Sequence, residues 1–181
     1  MKFKLIAASA ALAMLTGCAA DGKVSDKSYL RAAAIDGNVV TLSFFSDEDE
    51  NITVAADDLT QAKTAAELRA GKEVFTGYTE LIVLGDDNNA DTLSFILKKW
   101  KVSPECIVAG SSISGETLLS ERPPEELEGA VRSAQKHGLA GKCDIVTVLG
   151  RLLQNGSAEV PELSREGFCG TSEIRSETAA E

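Results

Sequence analysis

The chain has 181 residues, of which 44% are hydrophobic, and its 28 acidic and 18 basic side chains give a formal net charge of −10. So acidic a chain is repelled by phosphate backbones and by anionic lipid headgroups, which argues against a nucleic-acid partner. The hydrophobic content suffices for a packed core, and the length suits one domain.

The amino terminus has the features of a secretory signal. Two lysines precede an apolar run from Leu5 to Leu15, which is shorter than the roughly 20 residues that a membrane span needs. The following Leu15-Thr16-Gly17-Cys18 resembles a bacterial lipobox, in which the cysteine receives a diacylglyceryl group with acyl chains such as palmitate. We therefore predict a signal peptide over residues 1–17 and lipidation of Cys18. The alternative is an ordinary secretory signal peptide, in which the cysteine occurs by chance and is not lipidated.

Cleavage would remove two lysines and no acid, so the mature chain carries a charge of about −12. Two acyl chains hold a protein stably at a membrane. Residues 18–27, which are small and polar, are predicted to form the tether between lipid and domain.

Periodicity then divides the chain into alternating strands and helices. Strands are predicted over residues 29–36, 38–45, 52–56, 81–84 and 105–110. Helices are predicted over residues 57–72, 88–100, 114–120, 123–138 and 143–156. Asp36-Gly37 is a hairpin signal, and the clearest helical stripe consists of Leu93, Ile96, Leu97 and Trp100.

The signals that begin and end these helices are also local. Asp57 or Asp58 caps the first helix and Gly71 follows its end, while Asn88 or Asn89 caps the second. Ser114 is the cap before residues 115–120, and Pro123-Pro124 opens the next helix, which Gly138 ends.

These elements predict an α/β fold with a mixed sheet of about five strands and flanking helices. The apolar strands 81–84 and 105–110, joined by one helix, should form a parallel pair. The domain is predicted over residues 28–168, and residues 169–181 as a disordered polar tail.

The residues capable of catalysis form no recognisable active site. His137 is the single histidine and lies at a predicted helix end, where capping of free carbonyls is favoured over catalysis. The stretch Gly110–Gly115 (GSSISG) misses the G-x-S-x-G register, because Ser114 stands where the second glycine belongs. Ser133–Lys136 fits S-x-x-K without the partner motifs of a β-lactamase-like site. We predict a protein that is not an enzyme and has no cofactor.

A metal site is not predicted either. Asp47, Asp49, Asn51 and Asp58 match ligand positions of an EF-hand loop, but Ile52 stands where that loop requires glycine. A solvated hairpin tip is the favoured interpretation.

Three cysteines remain after modification of Cys18. Cys106, Cys143 and Cys169 show no CxxC spacing, and an odd number cannot all pair. Free thiols are favoured, with Cys106 buried in its apolar stretch, although one disulfide is possible outside the cytoplasm.

The order of these elements resembles the N-terminal domain of the Ger(x)C-type spore germination lipoproteins, the C subunits of germinant receptors. The resemblance runs from about Tyr29 to Phe168. Besides the lipobox, it is carried by residues 76–87 (TGYTELIVLGDD), similar to the family's G-H-x-x-x-I-I-I-G-E stretch, and by residues 114–124 (SGETLLSERPP). None of these is a catalytic signature, so the specificity lies in their order and spacing.

The resemblance implies a non-enzymatic accessory subunit on the extracytoplasmic face of the spore inner membrane, held there by its diacylglyceryl anchor. Its partners would be the multi-span membrane subunits of the receptor, which sense small germinants such as amino acids or sugars. A stand-alone solute-binding surface lipoprotein is the alternative, and an exported hydrolase is the weakest hypothesis. No ligand-binding residues are assigned.

Overall fold

The computed structural model describes residues 27–46, 51–85 and 90–176. The signal peptide, Cys18 and all of the tether except Lys27 lie outside these ranges. Within them the chain forms a mixed sheet of eight strands with five helices, which confirms the predicted α/β class with more strands than expected. None of the described helices is both long and apolar enough to cross a membrane.

The strands are β1 (Lys27–Asp36), β2 (Val39–Phe44), β3 (Ile52–Ala55), β4 (Glu73–Phe75), β5 (Leu81–Leu84), β6 (Ile107–Ser111), β7 (Ser157–Ser164) and β8 (Gly167–Arg175). The helices are α1 (Leu59–Ala70), α2 (Ala90–Phe95), α3 (Gly115–Glu121), α4 (Pro124–Lys136) and α5 (Ile145–Asn155). Helix α2 continues directly into a π-helical turn, Ile96–Trp100.

The sheet has the order β3-β2-β1-β5-β6-β7-β8. Strand β4 lies outside this order and pairs in parallel with the first three residues of β1, Lys27–Tyr29. The four central strands β1, β5, β6 and β7 are parallel, and antiparallel hairpins extend the sheet at both ends. The predicted parallel pairing of Leu81–Leu84 with Ile107–Gly110 is confirmed. All four residues of β5 are buried, as expected for a strand covered on both faces.

The helix ends follow the predicted signals where the structure describes them. The Asp58 carboxylate accepts hydrogen bonds from the N–H groups of Thr60 and Gln61, and Gly71 ends α1 with a positive φ of 65°. Ser114 caps α3, and Pro124 is the first residue of α4. The Asn88 or Asn89 cap falls outside the described residues.

The second helix differs from the prediction in its last turn. Leu93, Ile96 and Trp100 are buried as expected, whereas Leu97 is only partly buried. The helix widens into the π turn at Ile96. The turn ends at Lys101 with φ 55°. The Thr76 hydroxyl donates a hydrogen bond to the carbonyl of Trp100 and ties this end to the loop after β4.

The prediction of a disordered tail over residues 169–181 is wrong for residues 169–175. They belong to β8, which pairs along its whole length with β7, so the predicted boundary at residue 168 divides a strand. The hairpin was not predicted because Pro161 lies inside β7, and proline usually argues against a central strand. Here Ser176 N–H donates to Gly156 O (2.9 Å), and the alternation of the ladder then places Pro161 and Thr171 in a non-hydrogen-bonded pair. The missing N–H therefore breaks no bond to β8.

Candidate functional site

A cleft of about 480 Å³ lies at the carboxyl ends of the central strands. The chain leaves β1 towards β2 on one side and leaves β5 towards β6 on the other. Open α/β sheets place ligand sites in such a crevice, where neighbouring strands lead in opposite directions. The residues that line it are Asp36, Gly37, Asn38, Gly85, Ser111, Ser112, Ile113 and Ser114.

Most polar side chains of this cleft already have partners inside the domain. One oxygen of the Asp36 carboxylate accepts the N–H of Gly115 at 2.7 Å. The Ser111 hydroxyl donates to the Ile113 carbonyl at 2.6 Å, and the Ser114 hydroxyl lies 2.8 Å from the Thr117 hydroxyl and caps α3. The Asp36 bond holds the β6–α3 loop to β1, and the two serine bonds fix the local shape of that loop and the start of α3. We interpret all three as structural.

Two glycines let this region pack so closely. A Cβ at Gly115 would lie 2.2 Å from the Ala34 Cβ, and a Cβ at Gly85 would lie 2.6 Å from an Asp36 carboxylate oxygen. The contact at Gly115 is not tolerable, so this position requires glycine to let α3 approach β1. At Gly85, the Asp36 side chain would have to shift to admit a Cβ. The sequence offered no sign that Asp36 and Gly115, 79 positions apart, would meet.

The residues that the sequence analysis considered for catalysis, and for which it favoured other roles, lie on α4 and in the β6–α3 loop. His137 is the C-cap of α4, and its backbone N–H donates to the Ser133 carbonyl at 3.1 Å. The expected position of His137 at the helix end is therefore confirmed. Ser133 and Lys136 are exposed on the same helix. The GSSISG stretch is the end of β6 and the cap of α3, as its hydroxyls indicated.

The EF-hand-like residues do not form a metal site in the described part of the chain. Asp58 caps α1, and hydrogen bonds from that helix, chiefly from Gln61 N–H, lower the pKa of its carboxyl. The Asn51 amide donates to the Leu119 carbonyl at 2.8 Å, and Ile52 begins β3. Asp47 and Asp49 lie outside the described residues, and among the described ones no group of three potential ligands is close enough to hold an ion.

The three cysteines outside the signal region are free thiols. Cys106 is buried, as expected, and so is Cys143, whereas Cys169 is exposed on β8. Burial raises the pKa of Cys106 far above its usual value. Burial, aided by the negative charge of Asp144, raises the pKa of Cys143 to about 11. Neither buried thiol is activated as a nucleophile, because both are held in the neutral form.

The outer face of α5 is the second candidate region. Its inner residues Ile145, Val148, Leu149 and Leu152 are buried, as their spacing predicted. On the outer side, Val146 and Leu153 are 49% and 71% exposed, and Gly150 lies on the same face at the intervening position. A Cβ at Gly150 would meet nothing within 4 Å, so the described fold does not require glycine there. This outer α5 face (Val146, Gly150, Leu153) was missed from the sequence, although a glycine inside a helical pattern is a recognisable signal.

Comparison of the chain with protein-family models, with curated proteins and with solved structures finds no match.

Proposed function

We propose that this protein is a non-enzymatic, lipid-anchored accessory subunit of a spore nutrient germinant receptor, held on the extracytoplasmic face of the membrane. The lipobox at Cys18 supports the anchor, and the resemblance of residues 29–168 to the Ger(x)C lipoproteins supports the receptor role. The partners are then the multi-span membrane subunits of that receptor.

The outer α5 face is the observation that carries the interaction role. A glycine in an exposed helix interior destabilises a helix by about 1 kcal/mol relative to alanine. At Gly150 no described neighbour compensates for that cost, yet the glycine lies between two exposed apolar side chains. Such a face lets an apolar helix of a partner approach closely over Gly150.

Two leucines on different helices provide the test. Leu153 and Leu68 are 71% and 80% exposed, so Leu153→Glu and Leu68→Glu change the same chemistry on two surfaces. Both variants should keep the melting temperature of the domain, because neither side chain is in the core. Leu153→Glu should slow nutrient-triggered germination and reduce co-purification with the membrane subunits, whereas Leu68→Glu should behave as wild type. Equal behaviour of the two variants would contradict a contact through α5.

A solute-binding lipoprotein is the second candidate, and the cleft at the carboxyl ends of β1, β5 and β6 favours it. The cleft has the right position and volume for a small polar molecule. Against it stands the internal bonding of Asp36, Ser111 and Ser114, which leaves few groups to orient a solute. Titration calorimetry of the isolated domain with amino acids and sugars decides: we expect no tight binding, and micromolar binding would favour the solute-binding protein.

A further inference from the structure

Three aromatic rings, two of them half-buried and one exposed, form a cluster at the amino end of β1. Tyr29, Phe75 and Tyr78 have ring centroids 5.2 to 5.9 Å apart, and the Tyr78 ring stacks on Tyr29 at an interplanar angle of 22°. Tyr78 is 62% exposed. A Cβ at Gly77 would lie 2.8 Å from the Phe75 ring, so glycine there allows the loop to fold over this ring. We call these three residues the aromatic cluster.

Cations border the aromatic cluster, but carboxylates neutralise them. The Lys27 ammonium lies 5.8 Å from the Phe75 ring centroid and 3.2 Å from the Glu73 carboxylate. Arg31 lies over the ring of Phe45, which is 41% exposed, and pairs with Glu80 and Glu125. The surface around β1's first residues is therefore aromatic with paired charges, and electrostatic attraction to an anionic surface would be weak.

The position of the aromatic cluster in the chain indicates which surface it would contact. Lys27 is the first described residue of β1, and eight residues, 19–26, separate it from Cys18. Fully extended, eight residues span at most about 29 Å. If Cys18 carries the lipid, this end of the sheet is the described surface nearest to the bilayer along the chain.

We propose that the aromatic cluster rests in the headgroup region of the bilayer and orients the domain on its anchor; this inference depends on the lipid anchor of the proposed function. Tyrosine rings are favoured at the membrane–water interface because one end is apolar and the other hydrogen-bonds to water. The tether keeps the local concentration of the cluster high, so weak burial of Tyr78 and Phe45 suffices. Because β1 rises by about 3.3 Å per residue, Asp36, which follows Tyr29 by seven positions, and the carboxyl-end cleft would lie up to about 23 Å farther out.

Lipids with bromine atoms near the headgroup end of their acyl chains test the orientation. Tyr78→Trp and Asn38→Trp each add one indole to Trp100, which is only 4% exposed and gives a constant background. Asn38 is exposed in the turn at the opposite end of β1, so it is the matched control. The lipid-anchored full-length protein is reconstituted into phosphatidylcholine vesicles with and without bromine. Tyr78→Trp should lose fluorescence in the brominated vesicles, and Asn38→Trp should give equal intensities in both.

Flotation of the vesicles separates failure of the docking from failure of the anchor. Protein that floats with the vesicles while Tyr78→Trp stays unquenched would overturn the docking and leave the anchor intact. Protein that does not float would refute the anchor and the docking together. Hydrogen exchange on the unmodified sequence is the independent measurement: residues 75–79 should be slower in anchored protein than in the Cys18→Ala domain. Protection only in the presence of receptor subunits, without quenching, would assign the aromatic cluster to a protein partner and overturn the proposal.

Discussion

Asp36 shows how a residue with catalytic chemistry can be used for structure. Its carboxylate accepts the N–H of Gly115, the first residue of α3, so it fixes that helix on β1. Negative charge at a helix start is favourable, and the bond also satisfies an N–H that has no partner inside the helix. The group at the mouth of the cleft thus has a structural explanation.

Substitution of Gly115 tests this close packing. Gly115→Ala would place a Cβ 2.2 Å from that of Ala34, and such overpacking typically costs about 1–3 kcal/mol. Gly129→Ala is the control, because a Cβ at Gly129 meets nothing within 4 Å in the middle of α4. Urea denaturation should show a lower free energy of unfolding for Gly115→Ala and an equal or higher one for Gly129→Ala. Equal values for Gly115→Ala and wild type would contradict the packing of α3 on β1.

The buried thiols predict a loss of stability at alkaline pH. In the unfolded chain, cysteine ionises near pH 8.5. The folded state keeps the Cys143 proton up to about pH 11 and the Cys106 proton beyond that. Between these values the unfolded state binds fewer protons, so the free energy of unfolding falls as the pH rises.

Comparison of unfolding free energies at about pH 8 and about pH 10 measures this fall, since the two buried thiols titrate between these values only when the chain is unfolded. Cys143→Ala should show a smaller decrease than wild type. Cys169→Ala removes an exposed thiol and should show the wild-type decrease. An identical decrease in all three proteins would contradict the burial of Cys143.

At the scale of elements, the hairpin β7–β8 forms one end of the sheet, with β8 as the edge strand. Ile174 of β8 is 9% exposed, and its pairing partner Ala158 and the neighbouring Val160 and Leu163 of β7 are buried. Removal of β8 would expose one edge and part of the core. The hairpin is therefore part of the domain.

Two truncations test this boundary. A chain that ends at Phe168 lacks most of β8, whereas one that ends at Ser176 keeps it. The shorter chain should lose at least about 3 kcal/mol, from burial of Ile174 worth about 2 kcal/mol and from ladder hydrogen bonds worth about 1 kcal/mol each. Thermal melting of both chains measures the difference. Similar melting temperatures would restore the boundary at residue 168.

The sequence predicted the elements whose signals are local. Asp58, Gly71 and Ser114 mark helix ends through their own backbone preferences, and Leu93, Ile96 and Trp100 repeat at the helical period. β7 and β8 were not predicted because their stability comes from pairing with each other. Pro161 and the polar residues of β8 also weaken the local strand pattern. The β1–α3 contact and the outer α5 face were also missed, because each depends on what the finished fold brings together or leaves uncovered.

At the scale of the molecule, the acidic charge and the proposed anchor would have opposite effects on membrane association. The full chain has a net charge of −10, so anionic lipids repel the protein. Any retention at the membrane must therefore come from the proposed acyl chains or from partners. In the proposed function, retention is assigned to Cys18.

Cys18→Ala should therefore move the protein from the membrane fraction to the soluble extracytoplasmic fraction without a change in melting temperature, since β1 begins only at Lys27. Cys169→Ala, which also replaces a cysteine, should remain in the membrane fraction. Fractionation followed by immunodetection measures both. Equal partitioning of Cys18→Ala and wild type would show that the lipobox hypothesis is wrong.

The germination rate of spores that lack the gene, in a strain without a paralogue, tests the receptor role most directly. A receptor subunit acts before the later steps of germination, so its loss should affect only triggers that pass through the receptor. We expect these spores to respond slowly or not at all to nutrient germinants and to germinate normally with a trigger that acts downstream of the receptors. Spores that respond to every nutrient germinant at the wild-type rate would contradict the proposed function.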